Sequence, residues 1–463
     1  MNKISIRDIN KNALNLIHKF HKFGYESYLV GGCVRDMLMG FKPKDWDLCT
    51  NAHPEDIIRV LKSNHINWYA PGLKFGTVIA KFNDEEFEIT TYRKETGYSD
   101  NRHPDKVEFA NTIGEDLSRR DFTINAIALT VSNGELQIVD KFNGIKDIND
   151  KTLKTVGNPS KRFTEDSLRI LRALRFAVKF DMDIEHNTEQ AMENNTILLE
   201  NISKERITQE LEKILTSGKP VRKHLLKYDY ILKQILPEII PCINFKQNNK
   251  YHKHTVYEHM LAVTDLCNTD DFVLKLSALL HDIGKPSSYT LGEDGYGHFY
   301  GHPEISFDIA AEIFEKRLVL TNGQKNEALN LILNHDYSIR KTSKSIKKAL
   351  KHIGVEIIDK WFILKQADLD DHINIDVIGD GEGSWRHTSE LIQLKNDIIA
   401  QEQCFGLRDL KINGQTIMNE LGLKPGKQIG LILSTLLEEV IEEKIVNETT
   451  TLIDRAKEIV NGC

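Results

Sequence analysis

The sequence lacks the features that mark membrane and secreted proteins. Its 463 residues contain no hydrophobic run of membrane-spanning length, and residues 1–10 lack the apolar core of a signal peptide. Six scattered cysteines form no Cys-x-x-Cys pair, which argues against a disulfide framework and against a zinc ribbon. Short-period repeats and low-complexity segments are also absent. The sequence therefore predicts a cytoplasmic protein with reduced cysteines and no membrane partner.

An excess of positive charge is also lacking, because 61 lysine and arginine residues stand against 68 aspartate and glutamate residues, for a net charge of −7. This balance argues against a broad surface that binds any polyanion and leaves local patches as candidates. The basic run at residues 340–348 is one patch, and Arg93-Lys94 with Arg102-His103 is another, although charge runs are usually solvated faces. With 40% hydrophobic residues, a chain of this length should fold as several domains.

Two glycines and a pair of carboxylates follow the first predicted strand. A β-type run ends at Gly31 and Gly32, and a helix-prone stretch containing Arg35 comes next. Glycines at such a junction let the backbone approach a phosphate, and the amides at a helix start favour negative charge. Asp45 and Asp47 are two residues apart in an extended stretch, so their carboxylates should point to one side. This combination predicts Mg²⁺-dependent phosphoryl transfer, as in a nucleotidyltransferase.

Further polar residues could complete such a site. Glu88 lies on the polar face of a later predicted strand and is a candidate third carboxylate, although any half-buried strand would show this pattern. Arg119 and Arg120 suit a triphosphate, and Asp121 could accept a hydrogen bond from a ribose hydroxyl. Asn125 follows in the same motif and is a candidate nucleotide contact.

A later helix carries residues that could read a base. Glu165 and Asp166 are predicted in its first turn, where the helix dipole favours acids, and Arg169 shares a face with Asp166. Cytosine and adenine each present an amine donor beside a ring-nitrogen acceptor, so a carboxylate with a neighbouring guanidinium could accept both and reject guanine and uracil. Arg172 is a further candidate on this helix. An exposed ion pair is the simpler interpretation.

The pattern of predicted elements divides the chain into four domains. Short strands mix with helices over residues 1–150, and helices alone follow over residues 151–236. A second helical block covers residues 242–387, and a last helical unit covers residues 405–463. The predicted fold class is α+β, with a small mixed sheet in the first domain and all-helical domains after it.

These motifs resemble those of class II tRNA nucleotidyltransferases, the family of CCA-adding enzymes and bacterial poly(A) polymerases. The resemblance covers roughly residues 20–220 and rests on ordered motifs at Gly31-Gly32 with Asp45 and Asp47, Arg119-Arg120-Asp121, Asp140 with Gly144 and Asp147, Glu165-Asp166 with Arg169, and residues 202–206. It implies a polymerase-β-like head and a helical neck that reads the incoming base. It also implies that Asp45 and Asp47 bind Mg²⁺ and that a tRNA 3′-hydroxyl attacks CTP or ATP. No obligate protein partner is evident.

Two other segments look more like CCA-adding members than like poly(A) polymerases. Arg93 and Glu95 open a polar loop and resemble the basic and acidic pair that this family associates with switching from C to A addition. Pro425, Gly426 and Lys427 look like part of the tRNA-binding tail. Their backbone amides and cation suit a phosphate, although a plain helix start would look the same.

Histidines and carboxylates form a second set in the helical block, made up of His259, His281, Asp282, His302, His335 and Asp368. Such ligands suit a divalent transition metal, or Mg²⁺ with bridging water, and the centre could activate water for phosphoester hydrolysis. The block resembles the HD phosphohydrolase domain, with His298 as a spare ligand candidate. The resemblance implies a phosphatase or phosphodiesterase activity.

The sequence as a whole predicts template-independent addition of CCA to the tRNA 3′ end with CTP, ATP and Mg²⁺. A CC-adding, A-adding or poly(A)-adding enzyme of the same family is one alternative. An HD-type hydrolase of nucleotides or RNA ends, with a second divalent transition metal, is another. A non-catalytic tRNA-binding protein is a third alternative, which the carboxylate pair disfavours.

Overall fold

A computed structural model describes residues 4–97, 106–249, 251–372, 388–401 and 406–461, apart from the side chains of Lys74, Glu95 and Thr96. The chain forms two compact units, Met1–Pro237 and Glu238–Cys463. Among the described residues, no helix combines the length and the apolar character that crossing a membrane requires.

A mixed seven-stranded sheet forms the centre of the first unit. Its order is β3-β4-β5-β2-β1-β8-β9, in which β2 and β5 are parallel and the other pairs are antiparallel. Strands β6 and β7 form a separate hairpin. The strands are β1 Ser27–Val30, β2 Leu48–Thr50, β3 Asn67–Gly72, β4 Thr77–Phe82, β5 Glu85–Thr91, β6 Arg93–Thr96, β7 Lys106–Phe109, β8 Ile127–Ser132 and β9 Glu135–Asp140. The predicted mixed sheet is confirmed.

Helices cover this sheet and bury its apolar face. In the first of them, Ala13, Leu16, Ile17 and Phe20 recur at helical spacing and are fully buried, and Asn10 caps its start. The helices among and after the strands are α1 Lys11–Lys22, α2 Gly32–Leu38, α3 Pro54–Ser63, α4 Ile113–Ser118 and α5 Gly144–Asn149. This packing fixes the positions of β1 and α2, which meet at the two glycines. It also fixes β2, which begins directly after Asp45 and Asp47.

Helices dominate the rest of the first unit. Two short strands, β10 Thr152–Leu153 and β11 Asp183–Ile184, pair in parallel. They join the start of this helical part to the segment that follows α7 (Leu168–Phe180), its longest helix. The helices are α6 Pro159–Glu165, α7 Leu168–Phe180, α8 His186–Asn195, α9 Lys204–Leu215, α10 Arg222–Lys227 and α11 Asp229–Ile235. The predicted change from mixed to helical structure is therefore confirmed.

The described residues of the second unit are mainly helical and include one short hairpin. That hairpin pairs β12 Thr290–Leu291 with β13 Gly297–His298. The helices are α12 Val256–Leu266, α13 Phe272–Leu280, α14 Lys285–Ser288, α15 His302–Lys316, α16 Asn322–Asn334, α17 Ser343–Ile353, α18 Ile358–Asp371, α19 Thr388–Ala400, α20 Gly414–Leu421, α21 Lys427–Ile441 and α22 Thr449–Asn461.

The basic run at residues 340–348 makes ion pairs inside this unit. The Nζ atoms of Lys344 and Lys348 lie 3.1 and 3.0 Å from Glu442 Oε1, and Lys347 Nζ lies 3.1 Å from Glu443 Oε1. These lysines therefore join α17 to the end of α21. Their charge is largely balanced within the protein, which weakens the interpretation of this run as an RNA-binding patch.

Gly144 is a position where the fold leaves no room for a side chain. Asp140 Oδ1 and Oδ2 accept hydrogen bonds from the backbone amides of Gly144 and Ile145, at 2.8 and 2.9 Å. A Cβ atom at Gly144 would lie 2.2 Å from the carbonyl oxygen of Thr123. The segment therefore fixes the start of α5 closely against residues 123–125.

Replacing Gly144 with alanine should lower the free energy of unfolding by about 2–3 kcal/mol, because the backbone must move to relieve this overlap. Gly430→Ala is the matched control, since a Cβ at Gly430 in α21 meets no atom within 4 Å and alanine favours the helix by roughly 1 kcal/mol. Urea unfolding of both variants measures the effect. Equal stabilities for the two variants would contradict the assignment.

Candidate functional site

The first candidate site lies beside β2 of the mixed sheet. Asp45 and Asp47 precede this strand, which begins only at Leu48. Because β2 runs parallel to β5 with Leu48 opposite Ile89, Asp47 lies beside Glu88 at the start of the paired segment. Asp45 and Glu88 are exposed and Asp47 is half-buried. The sheet therefore places Glu88 next to Asp47.

Repulsion between these carboxylates makes the position suitable for a cation. Burial first, and then repulsion from Glu88 and Asp45, raise the pKa of Asp47 to about 6 against the opposing effect of Arg120. Among the described residues, the three carboxylates do not bring ligand oxygens within 4.8 Å of one another. The three carboxylates nonetheless offer only oxygen atoms as ligands. Such ligands suit a hard ion such as Mg²⁺, which keeps several of its waters when it binds.

The glycine pair forms a tight junction between β1 and α2. Gly31 has a φ of 77°, which other residues rarely adopt, and a Cβ there would lie 3.0 Å from Arg120 Nη1. Arg35 on α2 is buried and donates to Asp36 Oδ1 and Asn125 Oδ1, at 2.8 and 2.7 Å. Arg35 is therefore held rigidly at the edge of the site.

Arg119 and Arg120 share a buried partner that the sequence analysis missed. Arg119 donates to Asp116 Oδ1 at 2.8 Å, and Arg120 donates to Asp116 Oδ2 at 3.1 Å. Asp116 is fully buried. The sequence did contain a signal for this contact. Asp116 precedes the two arginines by three and four residues, and side chains at that spacing meet across one helical turn.

Asp121 binds protein donors through both of its oxygens. Oδ2 accepts from Arg172 Nε and Nη2, at 2.9 and 2.5 Å, and Oδ1 accepts from the Phe122 amide and from Asn125 Nδ2, at 2.8 and 3.1 Å. Burial alone would raise the pKa of Asp121, but the Arg172 guanidinium and these hydrogen bonds hold the pKa well below its usual range. Asp121 thus orients Arg172 rather than presenting a free acceptor to a ribose.

Replacing Asp121 with asparagine should lower the free energy of unfolding by about 2–4 kcal/mol, because Arg172 loses its buried counter-charge. The pKa is lower in the folded chain, so this stabilisation is present above the ordinary aspartate pKa of about 4 and falls away as the pH drops below it. Asp150→Asn, which removes an exposed pair with Lys146, should change stability by under about 0.5 kcal/mol. Equal losses in urea unfolding at pH 7 would refute the assignment.

Several of these residues line a polar pocket of about 680 Å³, whereas Glu88, Asp116 and Arg119 do not belong to its wall. Gly31, Gly32, Asp45, Asp47 and Asn125 belong to its wall, as do seven cationic side chains: Arg35, Lys44, Arg120, Arg172, Arg175, Lys179 and Lys213. The sequence analysis missed Lys44, Arg175, Lys179 and Lys213. For α7 the signal was the spacing of Arg172, Arg175 and Lys179, which places them along one face of the helix.

The prediction that Glu165 and Asp166 form the first turn of a long helix is wrong. Helix α6 ends at Glu165, Asp166 has extended backbone with φ −141° and ψ 100°, and α7 begins at Leu168. No proline or glycine marks this break. Tertiary contacts hold it, because Ser167 Oγ donates to the Leu198 carbonyl oxygen at 3.1 Å and Arg169 reaches the Arg119 carbonyl oxygen. Locally, Glu165 Oε2 accepts from Arg162 and Arg169 at 2.7 and 3.0 Å.

Asp166 and Arg169 therefore do not pair with each other. Arg169 also donates to the Arg119 carbonyl oxygen at 3.2 Å, while Arg206 Nη2 lies 3.4 Å from Asp166 Oδ1. Neither residue belongs to the wall of the 680 Å³ pocket. Arg93 lies on β6 and donates to the Phe75 carbonyl oxygen at 2.7 Å. The Glu95 side chain and residues 98–105, with Arg102 and His103, lie outside the described residues.

The second unit brings all six residues of the His and Asp set together. His259, His281, Asp282 and Asp368 form one group, and His302 and His335 approach Asp282 from its other side. The Nε2 atoms of His259 and His281 each lie 3.3 Å from Asp282 Oδ2, and those of His302 and His335 lie 3.3 and 3.5 Å from Oδ1. Asp368 Oδ1 lies 3.1 Å from His259 Nε2. Asp282 therefore bridges two groups of ligand atoms.

Hydrogen bonds on the outer side fix each histidine for metal binding. The Nδ1 atoms of His281, His302 and His335 lie 2.7–2.8 Å from backbone carbonyl oxygens, and His259 Nδ1 lies 2.9 Å from Asp371 Oδ2. These acceptors require the proton on Nδ1, which leaves the Nε2 lone pairs facing the centre. The Nε2 atoms of His302 and His335 are only 3.0 Å apart.

Buried atoms without directed hydrogen bonds support a metal at this centre. Among the described residues, both oxygens of Asp282 and Nε2 of His281 have no such hydrogen bond, although Lys285 Nζ forms an ion pair with Asp282 Oδ2 at 2.6 Å. Burial would raise the pKa of Asp282, but His281 and Lys285 hold that pKa well below its usual range. Two imidazoles with one or two carboxylates on each side suit divalent transition metals. His298 is not part of the centre, because its ring contacts Asp294 instead.

The tail motif is exposed at the start of α21. Pro425, Gly426 and Lys427 are all solvent-exposed, and Gly426 has extended backbone that any residue could adopt. The segment is therefore accessible from solvent.

Known proteins match this chain over nearly its whole length. A model of the poly A polymerase head domain matches residues 27–154, and one described as a probable RNA and SrmB-binding site of polymerase A matches residues 181–243. The HD domain model matches residues 256–371, and the tRNA nucleotidyltransferase domain 2 model matches residues 385–456. A CCA-adding enzyme from Ligilactobacillus salivarius (strain UCC118) is 30% identical over 458 residues, which are 98% of each chain. The chain belongs to the CCA-adding enzyme family.

Other relatives agree with this membership. A CCA-adding enzyme from Limosilactobacillus reuteri (strain DSM 20016) is 31% identical over 96% of each chain. The fold matches a crystal structure of the Bacillus stearothermophilus CCA-adding enzyme in complex with CTP, with a TM-score of 0.66, 24% identity and coverage of 98% and 99% of the two chains. It also matches the Thermotoga maritima enzyme complexed with tRNA, with a TM-score of 0.59, 20% identity and coverage of 98% and 97%. The predicted family and fold class are confirmed, and the nucleotidyltransferase head implies dependence on a divalent metal.

Proposed function

We propose that this chain adds CCA to the 3′ end of tRNA from CTP and ATP, by Mg²⁺-dependent nucleotidyl transfer. The observation that carries the proposal is the pocket in which Asp45 and Asp47 stand among seven cationic side chains. A triphosphate with its metal ion is the substrate class that needs both kinds of group in one place. The full-length similarity to CCA-adding enzymes supports the choice of tRNA, CTP and ATP.

Each part of the pocket has a separate task in this proposal. Asp45 and Asp47 would hold Mg²⁺ with Glu88 in support, and the bound ion supplies charge neutralisation for the triphosphate and the attacking 3′-oxygen. Arg172, oriented by Asp121, and Arg120, anchored by Asp116, face the phosphates. The Gly31-Gly32 junction lets the backbone lie close to the nucleotide.

Base selection is assigned to Asp166 and Arg169. Glu165 fixes Arg169, and the contacts to Asp166 from Arg206 and from the Leu168 amide both reach Oδ1. The Asp166 carboxylate and the Arg169 guanidinium therefore both lie at the α6–α7 break without neutralising each other.

The other segments complete the assignment of tasks. Residues 1–150 would perform transfer, residues 151–236 nucleotide selection, residues 242–387 hydrolysis and residues 405–463 tRNA binding. Arg93 and Glu95 would act in the change from C to A addition. Pro425, Gly426 and Lys427 would contact the RNA backbone, and their exposure supports this role.

Product length tests the proposal. A tRNA transcript that lacks its last three nucleotides is incubated with Mg²⁺ and CTP, ATP or both, and the products are sized at single-nucleotide resolution. Two additions with CTP and a third only with ATP are expected. An arrest after two with both nucleotides would indicate a CC-adding enzyme. A single addition that occurs only on a transcript already ending in CC would indicate an A-adding enzyme, and a long ladder with ATP alone a poly(A) polymerase.

We also propose a second activity, metal-dependent phosphohydrolysis at the centre around Asp282. The specific observation is the aromatic rim of the pocket over this centre, about 730 Å³ in volume. Tyr300 is 77% exposed and stacks on His298, with ring centroids 5.4 Å apart, and Tyr296 is 42% exposed nearby. Exposed rings at the mouth of a metal pocket suit a nucleobase, so the substrate would be a nucleotide or an RNA end.

A further inference from the structure

Two histidines beside the Asp282 centre have no task in the activities above. His252 and His372 flank His259, and the ring centroids of His252 and His372 are 4.2 Å apart. His252 and His372 lie 5.0 and 5.6 Å from the ring of His259. One nitrogen from each of the three rings lies within 4.8 Å of the others. Both side chains line the pocket over the metal centre.

The nitrogens of these two rings are unusually short of partners. Both ring nitrogens of His372 and Nδ1 of His252 are buried, and none has a hydrogen-bond partner among the described residues. Leaving buried nitrogens of this kind unsatisfied costs free energy, so a cluster of them points to a group that binds there. The four histidines of the main centre, in contrast, each use Nδ1 in a hydrogen bond.

Asp368 connects this pair to the main centre. Its Oδ1 atom lies 3.1 Å from His259 Nε2 and 3.6 Å from His372 Nε2. Ligand atoms that bind one tetrahedral ion at about 2.1 Å are roughly 3.4 Å apart, so both distances are those of shared coordination. Asp282 bridges the other two groups at 3.3–3.5 Å in the same way.

We propose that His252 and His372, with Asp368 as a bridging carboxylate, hold an additional divalent transition-metal ion next to the two positions around Asp282. This inference rests on the proposed metal character of that centre. A single lone pair of His259 binds one ion, so His259 Nε2 stays with Asp282 and the added ion depends on the other two rings. Two imidazoles and one carboxylate favour ions such as Zn²⁺, Co²⁺ or Ni²⁺ over Mg²⁺. The rest of the coordination sphere faces the pocket, open to water or a phosphate oxygen.

Metal content of the full-length protein tests this proposal. The protein is stripped with a chelator, equilibrated with Zn²⁺ and desalted, and zinc per chain is measured by mass spectrometry. The double variant H252A/H372A is expected to carry one ion per chain fewer than the wild-type protein. H302A/H335A should also lose one ion, from a different position, and H298A should lose none. Any zinc bound at the carboxylates of the first unit is the same in all these proteins, so it does not affect the difference in zinc per chain between them.

The outcomes separate this inference from the activity it rests on. Unchanged zinc in H252A/H372A, with one ion lost from H302A/H335A, would overturn the additional position and leave the two-ion centre standing. Unchanged zinc in both double variants would overturn the additional position and the two-ion centre alike. Loss of every ion from a folded H252A/H372A would assign the pair to support of the shared centre and also overturn a separate position. If the double variant does not fold, His252→Gln and His372→Gln are compared singly by Co²⁺ absorption, in which a loss of one cobalt band is expected and an unchanged spectrum overturns the proposal.

Discussion

Replacing Asp47 with asparagine is expected to lower nucleotide incorporation by at least about 10³-fold while making the metal-free protein more stable. The loss follows from removing a carboxylate that the proposal gives to Mg²⁺. The gain follows because the pKa of Asp47, raised by burial and by Glu88 to about 6, is higher in the folded chain than in the unfolded chain. The charged form therefore opposes folding at pH 7, and its removal should add about 1–3 kcal/mol to the free energy of unfolding.

Incorporation into the truncated tRNA and urea unfolding in chelator measure the two effects. Glu86→Gln is the matched control, because Glu86 is exposed on β5 two residues before Glu88 and bonds only Tyr69 among the described residues. It should retain activity within about twofold. Mg²⁺ should stabilise the wild-type protein and have little effect on Asp47→Asn. An Asp47→Asn variant that still incorporates CMP at the wild-type rate would rule out the assigned metal ligand.

Replacing Asp282 with alanine is expected to abolish hydrolysis of a 2′,3′-cyclic nucleotide and to leave CCA addition within about threefold of the wild-type rate. Asp282 is the bridge between the two groups of ligand atoms, so both lose a ligand at once. Removing a shared metal ligand typically costs several orders of magnitude in rate. The head carboxylates belong to the other compact unit and keep all their contacts.

Hydrolysis, zinc content and tRNA extension are measured on the same preparation. Asp294→Asn is the control, since Asp294 lines the same pocket but is 53% exposed and contacts His298 rather than the metal ligands. It should retain zinc and hydrolysis. Full hydrolysis by Asp282→Ala would refute the proposed centre, whereas no hydrolysis by the wild-type protein would leave this unit without the second activity.

Much of the fold could be predicted where one face of an element is buried. Strand β4 and helix α9 are marked in the sequence itself, because alternation in β4 and helical spacing in α9 are regular. Strand β8 was missed, since residues 127–131 are all buried and give no alternation. Strand β2 was missed because it has only three residues. The α6–α7 break depends on contacts of Ser167 with Leu198 and of Arg169 with Arg119, which are distant in the sequence and which no local signal marks.

In the candidate sites, too, some features could be predicted from the sequence and others could not. The residue types of the Asp282 centre were informative enough for the sequence to select all six members, since few folds place four histidines and two aspartates on nearby helices for packing alone. The roles of Asp116 and of His252 and His372 could not be predicted. Asp116 is buried beneath two arginines, and three of the four ring nitrogens of His252 and His372 are buried without a hydrogen-bond partner in the described part of the chain. Burial and missing partners are properties of the folded chain.

Sequencing the 3′ ends made from a mixture of all four nucleoside triphosphates tests the central claim most directly. The tRNA transcript lacking its last three nucleotides is extended with excess wild-type protein, and with Asp166→Ala in parallel. The account predicts that wild-type products end in CCA and stop there, and that Asp166→Ala incorporates G or U at a frequency at least about tenfold higher. Wild-type ends that contain G or U, or that continue past the first A, would contradict the claim that this chain is a template-independent CCA-adding enzyme.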